Sequence, residues 1–83
     1  MKDPMTQDDT IDCEGLLCPL PVLKARKRLL QMADGAVLTV RATDPMAAID
    51  LPHFCTEAGH RLLETRQDGA VQLYIIRRGA DKD

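Results

Sequence analysis

The sequence predicts a two-layer α/β (α+β) sandwich, β-α-β-α-β-β, in which a four-stranded mixed sheet carries two helices packed on one face. Three observations lead there. The chain has 83 residues, 45% hydrophobic and 29% charged, which suits one small domain with one core. Two amphipathic stretches alternate with short β-rich runs, a pattern that packs helices against a sheet. The last two runs are separated by Asp68-Gly69, the spacing and composition of a type I′ hairpin.

Thr10 and Ile11 start the first strand, which ends where Gly15 permits a turn. From Pro19 to Ala33, Val22, Leu23, Leu29, Leu30 and Ala33 form an apolar face opposite Lys24, Lys27, Arg28 and Gln31, an amphipathic helix of about four turns. Asp34-Gly35 stops it, and residues 36–40 continue as a buried strand. Asp44 is an N-cap with Pro45 at the first helical position. Pro52 divides this second helix into two pieces, 45–51 and 52–58, with Asp50 capping the restart and Gly59 as the closing residue. Residues 62–67 and 70–77 make the hairpin, with Val71, Leu73 and Ile75 sharing a face. The expected domain is 10–79, between a flexible lead-in at 1–9, whose first residues resemble a cloning scar, and a tail at 80–83.

Composition excludes several functions. A domain this size buries roughly 60% of its unfolded surface, too little to enclose a deep cavity, so any chemistry belongs near the surface. No apolar run approaches the roughly 20 residues of a membrane span. With net charge −2, pI ≈ 5.6 and Phe54 and Tyr74 as the only aromatic residues, the chain has neither a basic stripe nor a stacking platform for nucleic acid. Three cysteines and no apolar leader argue against a disulfide scaffold and for the reducing cytoplasm.

Cys18 is the candidate centre. It stands in Gly15-Leu16-Leu17-Cys18-Pro19-Leu20-Pro21. As the N-cap it has Pro19 and Pro21 in the first turn, so the Leu20 amide is the capping donor left for the sulfur. A thiolate there is expected below the ordinary thiol range of roughly 8.5, helped by the helix dipole. The alternative, a small core hydrophobe, needs no rigid proline frame. Cys13 and Cys55 read as core cysteines, although Cys13 is close enough in sequence to trap Cys18 as a disulfide. Cys13-x4-Cys18 with Cys55-x4-His60 is formally a three-thiolate, one-imidazole set, but the spacing is loose for zinc and Cys18 would have to turn inward. No metal and no cofactor are expected. Lys24, Arg26, Lys27 and Arg28 form a basic run on the same helix, readable equally as a solvated face or as a collar that docks acidic partners and helps the thiolate.

Asp12-x-x-Gly15-Leu16-x-Cys18-Pro19-x-Pro21 resembles the signature of the TusA/SirA-like sulfur carrier family. The likeness continues through Arg26-Lys27, Asp44-Pro45, Asp50-x-Pro52-x-Phe54-Cys55-Thr56, His60 and Ile76-Arg77-x-Gly79, spanning roughly 10–79. The resemblance implies the same sandwich fold and a sulfurtransferase whose Cys18 carries sulfur as a persulfide. A cysteine desulfurase would load it, and a downstream protein would take the sulfur toward 2-thiouridine of tRNA. Routes to molybdenum-cofactor assembly or dissimilatory sulfur oxidation are the alternatives within the family. A non-catalytic interaction or regulatory module is the alternative outside it. No Ser-His-Asp order, phosphate loop or carboxylate pair offers other machinery.

Overall fold

The computed structural model describes residues 8–79. The expected tails at 1–7 and 80–83 lie outside the described residues. Six elements occur in the order β1 (Asp9–Cys13), α1 (Leu20–Leu30), β2 (Val37–Ala42), α2 (Ala47–Ala58), β3 (Arg61–Asp68) and β4 (Val71–Arg77). The sheet runs β1-β2-β4-β3, with β1 parallel to β2 and the other pairs antiparallel. This is the predicted four-stranded mixed sheet with two helices.

Register decides which side is core. Ile11 pairs with Val40 and Cys13 with Ala42, while Leu38 pairs with Ile76 and Val40 with Tyr74. All lie on one face, and Cys13, Leu38, Val40, Ala42, Tyr74 and Ile76 are buried there against Ala25, Leu29, Leu51 and Cys55 of the helices. Val71, Leu73 and Ile75 do share a face, but it is the uncovered one.

Several details differ from the sequence reading. Asp8 and Asp9, placed in the flexible lead-in, are held: Asp8 Oδ1 accepts the Val37 N–H at 2.9 Å, and Asp9 begins β1 and pairs with Arg28. In α1 the buried residues are Pro21, Ala25 and Leu29, continued by Met32, whereas Leu23 and Leu30 are exposed. Pro52 lies inside one unbroken α2. It removes one helical N–H, but buried Leu51 and Cys55 on either side of it keep the segment packed, and tertiary contact outweighs the lost bond. The hairpin loop is Gly69-Ala70, since Asp68 already pairs with Val71. Only Gly69 has positive φ (62°), the sign pattern of a II′ turn rather than I′. Gly59 closes α2 in the left-handed conformation, as expected, at φ 82°.

Candidate functional site

The segment between β1 and α1 carries Cys18, and neighbouring loops set its course. Leu16 N–H donates to the Cys13 carbonyl at 3.1 Å, and Gly15, at φ 81°, donates its N–H to Thr43 Oγ1 at 2.9 Å. The Cys18 N–H donates to Asp44 Oδ2 at 2.7 Å. The other oxygen, Asp44 Oδ1, accepts the Met46 N–H at 3.1 Å. A single carboxylate, 8% exposed, thus joins the turn before α2 to the thiol-bearing loop; it is not the N-cap read from the sequence, because α2 begins only at Ala47, with Met46 as its N-cap and no side chain capping it.

The start of α1 is not as expected. Pro19, not Cys18, is the N-cap, and no side chain caps it. The Cys18–Pro19 peptide is cis. The Leu20 amide, assigned to the sulfur, donates instead to the Leu17 carbonyl at 2.8 Å. Pro21 is buried, and Leu20 is exposed.

Cys18 is exposed, whereas Cys13 and Cys55 are buried. Its thiol is pushed above, not below, the ordinary range. The hydrogen bond to the Asp50 carboxylate is the largest cause, followed by desolvation and by the negative charges of Asp50 and Asp44. A carboxylate that accepts S–H favours the protonated form. The expected thiolate support from the basic run is absent for a visible reason. Lys24 donates to the Asp12 carbonyl at 2.7 Å, and Arg28 pairs with Asp9. With Lys27, Ile11 and Gln31 they line a groove of about 280 Å³ beside β1. Arg26 is exposed on the same helix. Hydrogen bonds bring together Gly15 with Thr43 and Cys18 with Asp44, whereas Lys24, Lys27 and Arg28 of the basic run line the groove beside β1.

Burial pushes the Cys13 thiol up and the Cys55 thiol up to about 11. His60 Nδ1 accepts the Gly79 N–H at 3.0 Å. Among the described residues no group of three or more Cys, His, Asp or Glu side chains is placed to hold a metal ion.

Sequence reasoning saw Asp44 and Asp50 only as helix caps. Their action on Cys18 spans 26 residues for Asp44 and more for Asp50. The one signal available was that both fall inside the resemblance motifs.

Such a molecule is a small α/β sandwich that offers one surface thiol, the other two being enclosed in its core. The family model described as sulfurtransferase TusA matches residues 9–78, and the chain belongs to that family. A sulfur carrier protein TusA of Pseudomonas entomophila is 43% identical over 77 residues, covering 93% of this chain and 96% of that protein. The one of Pseudomonas putida is 42% identical over 76 residues, covering 92% and 95%. The crystal structure of a SirA-like protein from Desulfitobacterium hafniense superposes with a TM-score of 0.77 at 30% identity, over 87% of this chain and 99% of that one. Family membership assigns sulfur transfer, in general terms, as the activity, and a carrier of sulfur has partner proteins. No helix among the described residues is long and apolar enough to cross a membrane.

Proposed function

We propose that Cys18 carries sulfane sulfur as a persulfide, received from a cysteine desulfurase and passed to a partner protein in the cytoplasm, toward 2-thiouridine of tRNA. The observation that carries this reading is the contrast among the thiols: Cys18 alone is exposed, on a loop pinned by the buried Asp44 carboxylate. The sulfur of Cys18 attacks the outer sulfur of the donor persulfide, and the donor's inner sulfur leaves as a thiol. Gly15, Pro19, Leu20 and Pro21 shape the loop, though the Leu20 amide does not serve the sulfur. Within the basic run, Arg26 and Lys27 are the residues offered to a docked partner, because Lys24 and Arg28 are engaged with β1.

Incubation with a cysteine desulfurase and cysteine should add the mass of one sulfur atom, mapped by peptide analysis to Cys18. Sulfur found on Cys13 or Cys55 instead overturns the assignment. Cys18→Ser should abolish loading with an unchanged circular dichroism spectrum. Chasing labelled sulfur from the loaded protein into an extract identifies the acceptor and separates tRNA thiolation from the two other sulfur routes.

A further inference from the structure

Arginines on the uncovered face of the sheet are matched by carboxylates except at one end. Arg41 pairs with Glu14, and Arg66 with Glu64. Arg61 and Arg77 instead stand directly opposite each other, as register partners on β3 and β4. Register partners share a face, and Ile76 beside Arg77 is buried in the core, so both arginines lie on the uncovered side, where they are exposed. Like charges placed so destabilise an antiparallel pair, and no carboxylate among the described residues pairs with either. Both line a pocket of about 370 Å³ completed by Asp34, Gly35, Arg78 and Gly79. Its walls are tied together. Gly35 N–H donates to the Arg78 carbonyl and Arg78 N–H to the Ala36 carbonyl, each at 2.8 Å. Arg78, 6% exposed, is held by Asp34 and by the Leu29 and Gly79 carbonyls. Gly35 has φ 85°, and a Cβ there would stand 3.9 Å from Arg77 Nη2 and 4.0 Å from Nε, so the Arg77 guanidinium lies beside backbone. Three guanidiniums against the one carboxylate of Asp34 leave two positive charges in excess, in a chain whose net charge is −2.

We propose that this pocket binds a phosphate dianion between Arg61 and Arg77, either the free ion or the phosphate of a small monoester. Charge and shape both select it. A phosphate group carries about two negative charges and three strong acceptor oxygens, which matches the excess charge and occupies two guanidinium forks. A carboxylate brings one charge and two oxygens, enough for a single fork. Seated between the forks, the dianion also removes the repulsion that the two strands otherwise bear. The site is separate from the thiol. Arg77 pairs with Val37 at the start of β2, whereas the Cys18 loop is fastened by Asp44, just beyond Ala42 at the other end of that strand. At roughly 3.4 Å per residue the two ends lie about 17 Å apart, so the pocket stands independently of what Cys18 carries.

The test is a titration of the isotope-labelled protein with inorganic phosphate, followed by amide NMR at fixed pH and at ionic strength held constant with sodium chloride. Shifts should saturate at the Gly35, Arg61, Arg77 and Gly79 amides and leave the Cys18 amide unmoved. An exposed ion contact is worth up to about fivefold, so Arg61→Gln and Arg77→Gln should each raise Kd about fivefold, and acetate should bind about fivefold more weakly than phosphate. Arg66→Gln, on the same sheet but already paired with Glu64, should leave Kd unchanged. Glycerol 3-phosphate distinguishes the sources: saturation of the same amides means that a monoester fits, and its failure there means that the free ion is the occupant, the site standing in both cases. Shifts that do not saturate, or that spread evenly to the groove at Lys24 and Lys27, overturn the proposal. So does an unchanged Kd in folded Arg61→Gln and Arg77→Gln, checked by circular dichroism; should one of them not fold, the other decides. Acetate binding as tightly as phosphate overturns the choice of a dianion. Phosphate binding that appears only after Asp81→Asn with Asp83→Asn would give the pocket to the chain's own carboxylates, and overturns it as well.

Discussion

Replacing Asp44 by alanine removes both hydrogen bonds that join the Cys18 loop to α2, 2.7 Å to the Cys18 N–H and 3.1 Å to the Met46 N–H. Hydrogen bonds to a charged group contribute about 1.5–3 kcal/mol each. The Met46 bond is local, closing the turn before α2, and is counted at about 1 kcal/mol. The two together give a loss of about 3 kcal/mol, a large share of the roughly 5–15 kcal/mol that holds a domain. At about 4–8 °C per kcal/mol, Tm should fall by roughly 12–24 °C. Asp44→Asn is the finer probe. The amide keeps one acceptor oxygen and turns an NH2 toward the other N–H, so about 2 kcal/mol should go, the cost of one lost bond and one buried donor left unmet. Urea unfolding under reducing conditions, followed by circular dichroism, measures both, and an unchanged m-value confirms that stability alone has moved. An Asp44→Ala protein within about 0.5 kcal/mol of wild type, the usual scatter of surface substitutions, would show that the carboxylate does not tie the loop to the helix.

Iodoacetamide alkylation of Cys18 should show a pH midpoint above the ordinary thiol value, because Asp50 and Asp44 oppose ionisation; a midpoint below that value would restore the helix-dipole expectation. Cys55 holds its proton to about pH 11 in the fold, against an ordinary thiol value of 9.0. Its folded pKa is raised, so its contribution to stability is whole below pH 9 and is lost as pH rises toward 11. The urea midpoint of wild type should therefore decline over that window more steeply than that of Cys55→Ala, and parallel curves would refute the assignment. A Cβ added at Gly79 would stand 1.8 Å from the Gly59 carbonyl oxygen. Gly79→Ala should then lower stability by about 3 kcal/mol, the upper range for overpacking, measured by thermal melting; an unaltered Tm would mean that the two stretches of backbone part without cost.

The order of elements was legible because punctuation marks it: Gly59 closes α2 where expected, whereas α1 ends at Leu30, short of Asp34-Gly35, and α2 begins at Ala47, just beyond Asp44-Pro45, so those pairs mark the loops between elements rather than the exact ends. Inside the elements, periodicity was a poorer guide. Helix α1 carries two apolar stripes, Pro21-Ala25-Leu29-Met32 and Leu20-Leu23-Leu30. The face read from the sequence, Val22, Leu23, Leu29, Leu30 and Ala33, straddles the two, whereas the fold buries the first, with small Ala25 at its centre, and leaves Leu23 and Leu30 exposed. The hairpin slipped by one residue because Asp-Gly is a strong turn signal, yet cross-strand pairing of Asp68 with Val71 claims the aspartate for the ladder. Cys18 was legible as the candidate thiol, and the structure leaves it exposed, but its electrostatics were not. A helix start is a local feature, and the loop instead places the thiol under two carboxylates brought in by the fold. Arg78 shows the same limit. It reads as one more surface cation, yet it is buried, with Nε donating to the Leu29 carbonyl at 2.6 Å and its other end on Asp34, where it satisfies the open end of α1.

The strand order β1-β2-β4-β3 leaves two outer strands, each with a side that could recruit another chain. Strand β1 is only five residues long, and α1 reaches over it through Lys24 and Arg28. Strand β3 is longer and almost wholly exposed, but its register shifts between Leu62 and Glu64, and Arg61, Glu64, Arg66 and Asp68 interrupt it with charge of both signs. A straight, uncharged border is what fibril growth and sheet-to-sheet polymerisation require. Neither border supplies one, so both edges of the sheet disfavour strand-by-strand addition of one molecule to another.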